Sequence, residues 1–184
     1  MKLRSGGTLI LSHCTGCSMQ PKNFLDTNIF IYQNPLITSY LIHNFLKSYT
    51  KEVDSCDMYL VYYIVPIILV EDYYSVLSST HLKSGLEKFL IKFVDSKKRD
   101  ILLRLEHEAN RYFKLTSSSI HIGDKCKLFS VHSNKAKISF VEKEESPKIP
   151  QTLTRRFKNA EKLGSWLSKY SSYEAILLLS MGGA

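Results

Sequence analysis

The sequence predicts an α+β fold that is mostly helical, with one small β-hairpin and helices at its C-terminal end. Three observations carry this. Apolar residues recur at the three-to-four-residue spacing of a buried helix face in five segments, whereas strict alternation is confined to residues 137–141. Thirteen residues at 58–70 carry no charge, and the run is fenced by Asp57 on one side and by Glu71 and Asp72 on the other. As a helix that run spans about 20 Å, short of the roughly 30 Å of bilayer hydrocarbon, so it reads as the heart of a core and not as a membrane span. Its β-branched residues Val61, Ile64, Val65, Ile67, Ile68 and Val70 favour a strand. Its length favours a helix, and Pro66 removes one backbone donor in either case. The run is therefore expected to be a buried helix kinked at Pro66, with a strand as the alternative.

Three regions follow in order: an N-terminal arm at 1–33, a helical core at 34–145 and a C-terminal helical segment at 151–184. The arm holds Gly6-Gly7, Pro21 and Asp26-Thr27-Asn28, turn formers that oppose a long element. Asn34-Pro35 has the chemistry of a helix start, Asn as cap and Pro in the first turn. Ile37, Tyr40, Leu41, Phe45 and Tyr49 then give an amphipathic helix over 35–49. Past the apolar run, Leu86, Phe89, Leu90 and Phe93 share one face, and Ser84 with Glu87 has capping-box spacing that sets a start near Ser84. A helix over 96–113 puts Leu102, Leu105, Ala109, Tyr112 and Phe113 on its apolar side and Lys97, Lys98, Arg99, Arg104 and Arg111 on the other. Residues 116–124 form a short helix or a turn. Two strands, 128–131 and 137–141, flank His132-Ser133-Asn134-Lys135.

Helix, helix, short helix and basic hairpin is the order of a winged helix-turn-helix unit. Residues 142–150 form a charged, proline-bearing linker. Leu153, Phe157, Ala160, Gly164 and Leu167 then recur at helical spacing, with Leu163, Trp166 and Tyr170 beside them. Ser171 and Glu174 form a second capping-box pair ahead of residues 175–181. The additional aromatic stripe is either a second contact within the chain or an anchor for a partner, which makes Phe157, Leu163, Trp166 and Tyr170 the candidate partner-binding residues.

Charge is unevenly placed. Residues 1–80 carry five Lys and Arg against six Asp and Glu, leaving twenty against eleven in residues 81–184. A net charge of +9 in the second part suits an acidic partner, either nucleic acid or an acidic protein face. Phosphate contacts come from Lys and Arg, so the candidates are Lys97, Lys98, Arg99, Arg111, Lys114, Lys125, Lys127, Lys135 and Lys137. The apolar run near the N-terminus, Leu9 to Leu11, is too short for a secretory signal, so the chain reads as cytoplasmic and its four cysteines as reduced thiols. Cys14 and Cys17 form a CxxC pair with no second pair at zinc-ligand spacing, and are only weak metal candidates. No phosphate loop, dinucleotide turn or nucleophile elbow is present, so no catalytic residue and no cofactor is assigned. Glu106-His107-Glu108 points its three side chains about 100° apart on a helix and reads as a solvated face.

Taken together, Asn34-Pro35 opening a helix with Tyr40-Leu41, the YLVYYIVPIILV run, LKSGLEKFL, NAEKLGSWLSK with Leu163-Gly164 and Trp166, and AILLLSMG resemble the middle component of three-component ABC ATPase systems. That group includes the small accessory subunit of Lamassu-type defence systems. The resemblance covers roughly residues 30–182. It implies a non-catalytic winged-helix subunit working beside an SMC-like or Rad50-like ATPase and an effector, often a nuclease, against phage or plasmid DNA. A reading of another class remains beside it, a free-standing winged-helix transcriptional regulator that binds a palindromic site as a dimer.

Overall fold

The computed structural model describes residues 34–142 and 151–181, so the expected arm, its CxxC pair and nearly all of the expected linker lie outside the described residues. The first element is α1, Pro35–Tyr49, with the bounds its sequence signals require. The Asn34 side chain accepts from the Leu36 and Ile37 N–H groups at 2.9 and 3.3 Å, satisfying two donors that an uncapped helix leaves open.

The uncharged run is a helix, α2, Met58–Leu69, and Pro66 lies inside it. The expected kink falls later: α2 meets α3, Glu71–Ser79, at 85° across Val70, whose extended backbone ends the first helix. Pro66 sits in the last turn of α2, where its missing donor costs one bond near the end and leaves the earlier turns intact. The capping box expected at Ser84 does not form; residues Leu82–Ser84 make a 3-10 turn, and α4, Gly85–Asp95, starts without a side-chain cap.

The expected helix over 96–113 is instead two short helices, α5, Arg99–Leu103, and α6, Leu105–Arg111. They bend at Arg104 because α5 packs against α4 whereas α6 packs against α2, and one straight helix cannot follow both surfaces. The 116–124 segment lies within a full helix, α7, Phe113–Lys125. It leads into β2, Phe129–His132, and β3, Lys137–Phe140, which pair antiparallel with Phe129 opposite Phe140 and His132 opposite Lys137. A third strand that sequence reading missed, β1, Cys56–Asp57, pairs with β3 and gives the sheet order β1-β3-β2. Two residues are too few for alternation to register.

The C-terminal helices are α8, Gln151–Leu167, and α9, Ser172–Met181. Here the capping box is made: Glu174 accepts from the Ser171 N–H at 2.9 Å and the Ser171 hydroxyl accepts from the Glu174 N–H at 3.2 Å. The core is one cluster, centred on the fully buried faces of α1, α2, α4 and α8. Its closest crossing is α1 on α8. A Cβ on Gly164 would strike the Phe45 carbonyl and the Tyr49 N–H of the α1 backbone, so only glycine lets the two helices approach this far.

Candidate nucleic-acid interface

The folded chain sorts the nine candidate basic residues into separate places. Lys97, Lys98 and Arg99 sit exposed at the turn between α4 and α5. Arg111 ends α6 and is engaged within the chain, with its guanidinium 3.5 Å from the Glu108 carboxylate. Lys114 and Lys125 lie exposed at the two ends of α7, Lys127 lies just past it, and Lys135 stands on the turn of the hairpin. Lys137 is on β3, half-buried, with its ammonium 3.9 Å from Asp57 on β1. The α7 and hairpin residues are carried by neighbouring elements, whereas the 97–99 group stands beyond α6, on elements that pack against α4 and α9.

What holds α7 in place is local chemistry. Its buried face, Thr116, Ser119, Ile120 and Gly123, is small apart from Ile120, and it packs along α1. The Thr116 and Ser119 hydroxyls turn back to donate to the Tyr112 and Leu115 carbonyls at 3.0 and 2.7 Å, so no buried donor is left open on that face. A Cβ at Gly123 would enter the Phe129 ring, and its absence lets β2 lie against the helix. Asp124 accepts from the Val131 N–H at 3.0 Å, tying hairpin to helix. From α1, His43 Nδ1 lies 2.7 Å from the Leu128 carbonyl oxygen, and its ring centroid is 4.9 Å from that of Phe140. At the other end, the Tyr62 and Phe113 rings stack at 5.0 Å and the Tyr62 hydroxyl meets Ser117 at 3.1 Å. Helix and hairpin are thus seated as one unit on α1 and α2.

The chain matches, over residues 23–179, the family described as ABC-three component (ABC-3C) system Middle Component 3. It belongs to that family. No curated protein and no solved structure matches it. Membership in a multi-component system implies partner subunits, the ATPase among them.

The residues expected to anchor this middle component to a partner lie mostly inside it. Phe157, Leu163 and Trp166 are 5%, 0% and 1% exposed, so they belong to the core, and only Tyr170, half-buried, reaches the surface. The Trp166 indole N–H donates to the Leu82 carbonyl at 2.7 Å and its ring packs 6.2 Å from Phe89, which accounts for the additional aromatic stripe as a contact within the chain.

Sequence reading also missed two polar residues of α8 that work on the same neighbours. Arg156, buried, donates to the Ile68 carbonyl at 2.5 Å and to Glu71 at 3.3 Å, and its guanidinium lies 3.9 Å from the Tyr74 ring centroid. It caps the end of α2 at the 85° bend. Lys162 donates to the Leu77 and Thr80 carbonyls at 2.5 and 2.7 Å and so caps α3. Burial, and behind it the charges of Lys92 and Arg155, pulls its ammonium down to about 8, against the hold of the two carbonyls. Both residues occupy polar positions of an amphipathic helix, where a single sequence signals solvent.

Among the described residues no three of His, Cys, Asp or Glu converge as a metal site requires. Cys56 is buried in β1, where desolvation and then the Asp57 charge push its thiol far up, so it is a poor nucleophile. No described helix is by itself long and apolar enough to cross a membrane.

Proposed function

We propose that the chain is a non-catalytic accessory subunit of an SMC-like or Rad50-like ATPase complex. It links that ATPase to a separate effector, a nuclease, and helps engage duplex DNA in bacterial defence against phage or plasmids, as in Lamassu-type systems. The observation that carries the reading is the family match over residues 23–179. Two features support it. The sheet order β1-β3-β2, with α1 before β1, α2 after it and α7 running straight into β2, suits a winged-helix unit in which α7 takes the place of the last helix and residues 133–135 the wing tip. This placement differs from the one read off the sequence, which began the unit near residue 84. The excess of basic residues beyond position 80 suits a subunit that meets DNA through phosphates.

The test is co-purification of the full chain with an ATPase encoded beside it. A stable complex with that ATPase supports the reading. A chain that binds no ATPase and instead protects a palindromic DNA site as a dimer is a transcriptional regulator.

A further inference from the structure

We infer that the outward face of α7 is the surface that contacts DNA, lying along the major groove of a duplex with Lys114 and Lys125 at its ends and Ser118 and His121 between them. The inference rests on the reading of the chain as a DNA-engaging subunit and names the element responsible.

At about 100° per residue, positions 114, 118, 121 and 125 fall within an arc of about 60°. The buried positions Thr116, Ser119, Ile120 and Gly123 centre about 180° away. One side of α7 therefore packs on the protein and the diametrically opposite side presents only Lys, Ser, His and Lys to solvent. All four are exposed, and among the described residues none of the four side chains has a hydrogen-bond or ion-pair partner. That distinguishes Lys114 and Lys125 from Arg111 and Lys137, whose charges face Glu108 and Asp57.

Charge complementarity selects the occupant. Asp124 is the single acid of α7, and its carboxylate is turned aside to accept from Val131, so nothing on the face repels a polyanion. The dimensions agree: the stripe rises about 16 Å, close to five base-pair steps, and the major groove is about 12 Å wide, enough for one helix. Lysines at the two ends reach phosphates on either side, whereas Ser118 and His121 are short and make at most weak contacts to base edges. Binding is then tolerant of sequence and dominated by counterion release.

The experiment measures binding of a fluorescent 30-base-pair duplex of arbitrary sequence by the full chain, alone and with its ATPase, between 50 and 200 mM KCl. The variants are Lys114→Gln/Lys125→Gln and, as comparison, Lys97→Gln/Lys98→Gln. Both pairs are exposed, and a melting curve verifies that each variant folds. The α7 pair is expected to flatten the log–log salt slope by about 2 and weaken binding by about 60-fold near 0.1 M salt, while the 97–98 pair leaves the slope unchanged. A second duplex, its major groove filled by glucosylated hydroxymethylcytosine, is expected to bind more weakly. An unchanged slope in the α7 variant, an equal loss from the 97–98 pair, or indifference to the filled groove overturns the assignment. If the α7 variant keeps its DNA affinity and loses the ATPase, the face is a protein surface, and the accessory reading stands without this one.

Discussion

Lys97 and Lys127 both occupy the left-handed region, with φ of 54° and 53°. Each follows a helix whose last turn closes in the same way. Lys98 N–H reaches Phe93 and Lys97 N–H reaches Val94 at the end of α4, and Leu128 reaches Gly123 and Lys127 reaches Asp124 at the end of α7. That is the pairing of a helix stop that glycine normally supplies. A Cβ there costs about 1–2 kcal/mol, offset in part by the smaller entropy of the unfolded chain. Lys97→Gly and Lys127→Gly should each stabilise the fold by about 0.5–1 kcal/mol, read as a higher urea midpoint. Lys162 gives a second residue-scale prediction. Its folded value of about 8 lies below its ordinary value of 10.5, so between those two pH values the unfolded chain holds more protons and the native state gains stability as pH rises. Compared with Lys162→Met, the wild type should gain stability steadily from pH 8 to pH 10. A difference between the two that stays flat across that range would mean the ammonium is not held in a dehydrated place. Taking the variant as reference removes the opposing contributions of Cys56 and Tyr73, whose burial raises their values.

At the scale of elements, the two glycines at close crossings carry the packing. Gly164→Ala places a methyl against the α1 backbone, which cannot rotate away as a side chain would. The gain of helix propensity, about 1 kcal/mol, is outweighed, and a net loss of about 2–3 kcal/mol is expected. Gly123→Ala should cost a similar amount and loosen the hairpin first, visible as faster amide exchange in β2 and β3. The elements themselves were legible where a local signal sufficed: the Asn34-Pro35 cap, the Ser171–Glu174 box and the alternation of β3 depend on residues within four positions of one another. They were illegible where a distant partner decided. Ser84 has the spacing of a cap, but the 3-10 turn before it leaves its backbone at φ −76° and ψ −20°, already helical, so the hydroxyl has no donor to serve. The break at Arg104 follows from which helices α5 and α6 touch, which no window of sequence contains. Of the candidate interface, the basic residues were visible as composition. Their division into a free stripe on α7, an ion-paired Arg111 and a distant group at 97–99 required the fold.

Across the whole molecule, α8 is the element that closes the fold, because it touches α1, α2 and α4 while its polar side chains cap α2 and α3. Trp166 stands at that junction, 1% exposed, with its ring against Phe89 and its N–H on the Leu82 carbonyl. Replacing a buried Trp or Phe by Ala costs about 3–5 kcal/mol, and a domain has only about 5–15 kcal/mol to lose. Trp166→Ala therefore removes about a fifth or more of the stability, strands the Leu82 carbonyl and leaves a void between α4 and α8. Phe157→Ala acts the same way about two and a half turns earlier in α8. Loss of a partner complex in either variant would accordingly report a failing fold and not a missing contact. Tyr170 separates the two effects. It is half-buried just beyond α8 and lines, with Lys83, Glu87 and Lys169, a groove of about 240 Å³ at the start of α4. Tyr170→Ala should leave the melting temperature within a few degrees of wild type, since it empties no closed cavity. If the C-terminal helices dock this subunit onto its ATPase, Tyr170→Ala weakens co-purification at that unchanged melting temperature, while Trp166→Ala lowers both. Full recovery of the complex with Tyr170→Ala would move the docking surface away from the α4–α8 groove and onto the exposed side of α9, where Tyr173 and Leu177 stand open to solvent.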